Sequence, residues 1–151
     1  MVHHFRELRV YRQAFLTART IFETSKQWPK EERYALVDQI RRSSRSVCAN
    51  IAEAWRKRRY PKHFASKLSD ADAEAAETQT WLDFALDCGY MGPEMHHELD
   101  EQYEVIIGGL VKMMNDAGRW CGPSNQVREE LSDYFLDASH TPTLPDAHTQ
   151  Q

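Results

Sequence analysis

FASKLSDADAEAAETQTWLDFA, residues 64–85, carries the reading on which the architecture turns. Phe64, Leu68, Ala71, Ala75, Thr78, Leu82 and Ala85 return at alternating steps of four and three. A period near 3.5 places all seven on one stripe of a helix and asks for partner helices against that stripe. No segment of the chain shows the sustained alternation of a half-buried strand.

Working outward, Tyr60-Pro61 bounds this helix at its start, because the residue before proline avoids helical dihedrals. Gly89 suits a left-handed stop at its end. The spacing therefore predicts a helix over Lys62–Cys88. Upstream, Leu36, Val37, Ile40, Ser44, Val47, Ile51, Ala54 and Trp55 share one face of a helix predicted over Lys30–Arg59. Small residues around Ser43, Ser44, Ala49 and Ala52 let a neighbour approach closely on that helix. The first helix is predicted over Phe5–Trp28, with Leu8, Tyr11, Phe15, Ala18 and Phe22 as its stripe. Pro29 fits the first turn that follows. Downstream, a fourth helix is predicted over Pro93–Trp120. Met95, Leu99, Gln102, Ile106, Gly109, Met113 and Trp120 mark its seam, with Tyr103 and Leu110 beside it. Gly122-Pro123 ends it.

Four long amphipathic helices with short connections make antiparallel neighbours. The expected fold is all-α: an antiparallel up-down four-helix bundle over residues 1–122, a short C-terminal helix over 123–138 and a disordered tail over 139–151. The short helix would start at Ser124 and carry Val127, Leu131, Tyr134 and Phe135 on one side. The tail SHTPTLPDAHTQQ has almost nothing to bury.

Composition limits function. The 151 residues are enough for one sizeable core, and 28% charged residues is an ordinary globular share. The start, MVHHFRELRVYRQAF, lacks the apolar run of a signal peptide, and no stretch nears the roughly 20 apolar residues that span a bilayer. A cytoplasmic protein without a membrane partner is expected. Cys48, Cys88 and Cys121 form no CxxC pair, and each reads as a small apolar core residue.

The net charge of −4 hides an asymmetry. Residues 1–63 hold 15 Lys and Arg against 6 Asp and Glu, a balance of +9; residues 64–151 hold 4 against 17, a balance of −13. The two halves would attract within a bundle, pair between subunits, or present a basic face to nucleic acid.

Candidate chemistry is sparse. A di-metal site in a four-helix bundle needs two ExxH motifs, and the chain offers one, Glu94–His97. Ser43, Ser44 and Ser46 lie mid-helix without a base on a strained turn, and Gly108-Gly109 reads as a packing notch, not a phosphate loop. No catalytic residue, metal site or cofactor is expected. The basic residues of the second helix stand out more. At about 100° per residue, Arg41, Arg45, Arg56 and Arg59 fall within roughly 60° of one another beside the apolar stripe. Lys57, Arg58 and Lys62 add charge at the helix end. Arginine matches phosphate bidentately, so this row is the candidate nucleic-acid-binding surface, against a second reading as a face paired with the acidic helices. Asn50, beside the core stripe and near Ser46, reads as a structural polar residue that bonds a neighbouring helix or the backbone.

The segment QIRRSSRSVCANIAEA, residues 39–54, resembles the signature of the bacterial four-helix bundle family, also called the 23S ribosomal RNA intervening-sequence protein family. FRELRVY at 5–11, WPKEERYAL at 28–36, and EAAETQ at 74–79 with Gly89-Tyr90 are similar to further stretches of that family. The resemblance spans about residues 5–120. Ala54 stands where the family usually has Gly, and Cys48 where it usually has Pro, which implies a straighter second helix. The resemblance implies a bundle without catalytic residues that assembles into a ring, typically a homopentamer. It also implies kinship with the accessory protein of diversity-generating retroelements, which binds RNA or DNA and partners a reverse transcriptase. The leading expectation is a non-enzymatic homo-oligomeric scaffold or adaptor that contacts nucleic acid. The alternatives are an adaptor for protein partners alone, docking through Trp81, Phe84, Tyr134 and Phe135, and, more remotely, a metal-dependent enzyme.

Overall fold

The computed structural model describes residues 1–122 and residue 144. The expected short helix over 123–138 and the tail over 139–151 lie outside the described residues, apart from Leu144. Four long helices and one short one run in the order α1 (Arg9–Ser25), α2 (Leu36–Arg56), α3 (Pro61–Asp87), α4 (Pro93–Asn115) and α5 (Ala117–Cys121). Single 3-10 turns at Phe5–Glu7 and Lys30–Glu32 precede α1 and α2. No strand occurs among the described residues.

The chain forms an antiparallel up-down bundle. α2 packs most extensively on α3, then α3 on α4 and α1 on α2, and α1 closes the square against α4. The seven stripe residues of α3 are all buried, as their spacing demands. They meet Ile40, Ser43, Ser44, Val47, Ile51, Ala54 and Trp55 of α2, and Leu99, Tyr103, Ile106, Leu110 and Met113 of α4, in one core.

Close approach of α2 and α3 depends on small side chains. Ser43 and Thr78 are both fully buried, with their hydroxyls 2.8 Å apart. The Thr78 hydroxyl also lies 2.9 Å from the Glu74 carbonyl, and the Ser43 hydroxyl 3.3 Å from that of Ile40. The pair is thus satisfied without water. Tyr103 is sealed beside them, and burial raises its phenol well above the usual range. Thr78 lies close enough to its hydroxyl to oppose that rise, yet short of hydrogen-bond geometry.

The end of α3 shows why Gly89 stops the helix. Gly89 adopts φ 74°, its N–H donates to the Leu86 carbonyl at 3.0 Å, and the Tyr90 N–H donates to Ala85 at 2.9 Å. This is the Schellman closure, and it needs a residue without Cβ strain at that position. At the same end of the bundle, Glu32 joins the two connections. Its Oε2 accepts the Leu36 N–H at 3.2 Å, at the start of α2, and its Oε1 accepts the Tyr90 hydroxyl at 3.0 Å. That bond to a carboxylate, helped by burial, pushes the Tyr90 phenol up to about 12.

Several sequence expectations need correction. The first helix is shorter than Phe5–Trp28, because Leu8 (φ −62°, ψ 126°) separates a 3-10 turn from α1. The second begins at Leu36 instead of Lys30, since Ala35 (φ −119°, ψ −103°) interrupts the run. The fourth breaks at Asp116 (φ −97°, ψ 28°), so Trp120 belongs to α5. The stripe of α1 is rotated: Val10, Ala14, Thr17 and Ile21 lie beside Tyr11 in the core, whereas Phe15, Ala18 and Phe22 are half-buried at its edge. A Cβ on Gly109 of α4 would stand in van der Waals contact with the Val10 side chain, at 3.4 Å. Gly108 faces open space, so Gly109 alone is the notch. Gln102 and Ala49 are exposed, outside the seams assigned to them. Cys48 and Cys121 are buried, but Cys88 is exposed beyond the end of α3.

Candidate nucleic-acid interface

α2 runs uninterrupted through Cys48, whose Sγ lies 3.9 Å from the Ser44 carbonyl. One helix therefore presents every basic residue from Arg41 to Arg56, but the surroundings divide them into two groups. Arg45 and Arg56 stand 11 residues apart, about 16 Å at 1.5 Å per residue.

The first group faces the end of α1. The Arg41 Nε donates to Ser25 Oγ at 2.9 Å, and its Nη2 donates to the Phe22 carbonyl at 3.3 Å. Its guanidinium stacks 4.6 Å from the Phe22 ring centre. Arg41 thus caps the last turn of α1, where carbonyls lack helical partners and the helix dipole favours a cation. Arg45 is exposed, with its guanidinium 5.5 Å from the same ring. Phe22, Phe15, Tyr11, Ala18, Arg19, Arg45 and Cys48 enclose an apolar groove of about 330 Å³ between α1 and α2.

The second group surrounds the α2–α3 corner. α2 ends at Arg56; Lys57 (φ −95°, ψ 8°) leaves the helix, and the Tyr60 N–H donates to the Lys57 carbonyl at 2.8 Å. Arg58 turns inward and is 4% exposed, its guanidinium 3.3 Å from the Trp55 ring centre and its Nε 3.0 Å from the Trp55 carbonyl. Arg56, Lys57, Arg59 and Lys62 remain exposed and form no ion pair among the described residues. Tyr60 and His63 lie among them, their ring centres 5.6 Å apart. No side chain caps the start of α3 here, so the positive end of its dipole adds to the field.

The acidic helices are held by other cations. Arg42 reaches across from α2 to Glu77 at 2.6 Å and Glu74 at 3.3 Å, and these bonds hold the Glu77 carboxyl below the usual carboxylate range. Lys67 pairs with Glu53 at 2.8 Å. Among the described residues, the pairing of α2 with α3 therefore falls to Arg42 and Lys67, and Arg45, Arg56, Lys57, Arg59 and Lys62 make no ion pair there. Asn50 bonds within α2, its Nδ2 donating to the Ser46 carbonyl at 2.9 Å and lying 3.2 Å from Ser46 Oγ.

Elsewhere, His96 pairs with Asp83 at 2.8 Å and His97 with Glu101 at 3.2 Å. Among the described residues, no group of three or more His, Cys, Asp or Glu is gathered to hold a metal. No helix there is long and apolar enough to cross a membrane. Trp81 and Phe84 stack at 5.9 Å along a groove of about 280 Å³ that also takes in Leu36 and Cys88; Phe84 is 52% exposed. Tyr134 and Phe135, the other expected docking points, lie outside the described residues.

Sequence reasoning had passed over Tyr60 and His63, using Tyr60 only as a boundary. The run RKRRYPKH at 56–63, in which aromatic rings interrupt a string of cations, was the available signal.

Comparison with known proteins agrees with this bundle. The family model described as 23S rRNA-intervening sequence protein matches residues 6–112, and the chain belongs to that family. A crystal structure from Bacteroides thetaiotaomicron, described as a protein with unknown function from the S23 ribosomal protein family, is similar to it. The two share 27% identity and a TM-score of 0.64, over 70% of this chain and 95% of that one. No curated protein matches the chain.

Proposed function

We propose that this protein is a non-enzymatic, self-associating scaffold that binds nucleic acid through the α2–α3 corner. The observation that carries this is the separation of charge across the bundle. Residues 1–63 hold 15 Lys and Arg against 6 Asp and Glu, while residues 64–122 hold 3 against 12. Four exposed cations at the corner have no acidic partner among the described residues, so their field is available to phosphates. In a ring of copies, for which a pentamer is the form suggested by the family resemblance, the α1/α2 face of one copy would meet the α3/α4 face of the next. Arg45 and the groove edged by Phe15 and Phe22 would lie at that junction.

Native mass measurement with and without a mixed pool of RNA and DNA oligonucleotides, at low and moderate salt, tests both parts. A closed assembly that gains nucleic acid and sheds it as salt rises is the expected result. An assembly that gains nothing at any salt overturns the nucleic-acid part, and a monomer at micromolar concentration overturns the ring.

One observation favours a second reading, an adaptor for protein partners alone. The Trp81–Phe84 pair offers an exposed apolar anchor away from the basic corner. A nucleic-acid enzyme such as a reverse transcriptase is the partner class to try. Phe84→Glu should abolish co-elution with such a partner, and unchanged co-elution counts against this face.

A further inference from the structure

The α2–α3 corner is more than a concentration of charge. Pure phosphate binding needs only cations, yet two exposed aromatic rings, Tyr60 and His63, belong to the same stretch of chain. Tyr60 is 56% exposed, and its ring leans on His63 at 5.6 Å with 42° between the planes. Leaving a tyrosine half in water gives up burial that other positions could have provided. The backbone holds it there: Tyr60 precedes Pro61, its φ of −122° and ψ of 95° are extended, and its carbonyl accepts the Phe64 N–H at 2.9 Å. The ring is thus carried on a fixed turn, not a loose loop. Arg56, Lys57, Arg59 and Lys62, all within four residues of it in the chain, are exposed as well.

The corner is four residues between two helices, and it presents no helix face or β-ribbon to lie along a major groove. It does offer a ring face with cations on its flanks, the combination that receives an unpaired base and the phosphates on either side of it. We infer that the α2–α3 corner is a single-stranded nucleic-acid site, in which Tyr60, supported by His63, stacks a base while Arg56, Lys57, Arg59 and Lys62 hold the adjoining phosphates. This rests on the proposed nucleic-acid reading and narrows its ligand to unpaired RNA or DNA. The double helix is then the poorer ligand, because its bases are already stacked on one another.

The test uses the full-length chain and fluorescein-labelled oligonucleotides of about a dozen nucleotides, long enough to cover one such site. Single-stranded RNA, single-stranded DNA and the matching duplex are titrated by anisotropy. The expected order places at least one single strand ahead of the duplex. Tyr60→Ala should cost about tenfold in single-strand affinity, the lower part of the range for one base stack, and leave duplex affinity alone. Its salt slope should match the wild type, because no phosphate contact is lost. Tyr60→Phe should restore the affinity. Lys57→Glu with Arg59→Glu should weaken every ligand and flatten the salt slope. Equal affinity of Tyr60→Ala and wild type, with the charge reversals still weakening binding, overturns the stacking site and leaves the phosphate-binding reading standing. No binding of any oligonucleotide by the wild type overturns both. A duplex that binds better than either single strand overturns the single-strand assignment alone. Loss of self-association in Tyr60→Ala would make the corner a contact between copies, and likewise overturn it.

Discussion

Cys48 and Cys88 carry the same thiol into opposite surroundings. Burial between α1 and α2 pushes the Cys48 thiol up to about 12, burial at the end of α5 raises that of Cys121, and Cys88 is exposed. Thiolate is the reactive form, so alkylation of the folded protein near pH 8 should add one group per chain, at Cys88. Mass spectrometry of the digest checks this, and an adduct on Cys48 would mean that the α1–α2 seam opens in solution. Thr78 allows a second test at this scale. Thr78→Val keeps the shape but removes the hydroxyl that Ser43 faces at 2.8 Å. The loss should be about 1 kcal/mol, or roughly 2–4 °C in melting temperature for a chain of this size. Calorimetry showing no change would mean that the buried hydroxyl pair contributes nothing net.

At the level of the helices, the glycine that stops α3 and one inside α4 separate two effects of substitution. Gly89 sits at φ 74° with nothing near its missing Cβ, so Gly89→Ala should destabilise by about 1 kcal/mol through backbone strain alone. Gly108 lies inside α4, also facing open space, and Gly108→Ala should stabilise by about 0.5–1 kcal/mol. Melting curves shifting in opposite directions are the expected result. Acid should act on the α2–α3 seam through Glu77. Arg42 lowers its carboxyl in the folded state, so the pair's contribution is present above the ordinary carboxylate range and lost as pH falls through the folded value. Both side chains are partly exposed, which limits the contribution to under about 1 kcal/mol. Arg42→Ala should therefore lower stability at neutral pH by under about 1 kcal/mol, match the wild type in acid once Glu77 is protonated, and so flatten the acid limb of the stability profile slightly.

How far these elements could be read from sequence depended on how evenly their core residues are spaced. Phe64 to Ala85 repeat without interruption, and every one is buried. Leu36 to Trp55 likewise hold a single face. α1 offers two overlapping apolar series, and the aromatic one is the more conspicuous. In the fold the series Val10, Ala14, Thr17 and Ile21 with Tyr11 is buried, and Phe15 and Phe22 edge the groove between α1 and α2. The caps were harder to see: Arg41 closes α1 from sixteen residues away, and a single-helix reading cannot register a partner on another helix. In the candidate interface the charges were legible and their division was not. That Arg58 turns onto Trp55 while Arg59 faces water follows from where α2 stops, and helix ends are the least determined part of a periodic pattern.

At the scale of the whole molecule, charge separation predicts how copies associate. Arg45→Glu removes an exposed cation from the α1/α2 face without touching the contacts that Arg41 makes with α1. It should lower the association constant measured by sedimentation, and salt near 0.5 M, where screening shortens to a few ångströms, should do the same to the wild type. Assembly that is indifferent to both would place the junction on apolar surface instead.

The seam between α1 and α4 has a consequence during synthesis. α1–α2, α2–α3 and α3–α4 join helices that follow one another in the chain, whereas α1 must wait for α4. A ribosome adding about 5–20 residues per second needs a few seconds to produce the last helix after α3 is out. Throughout that interval Val10 and its neighbours on α1 stand bare beside an already paired α2 and α3. Other ribosomes on the same message hold nascent chains a little further along, each with an identical α4. A late-arriving helix can then be taken from a sister chain as readily as from its own, so the newborn protein is most exposed to exchanging parts just before it is complete.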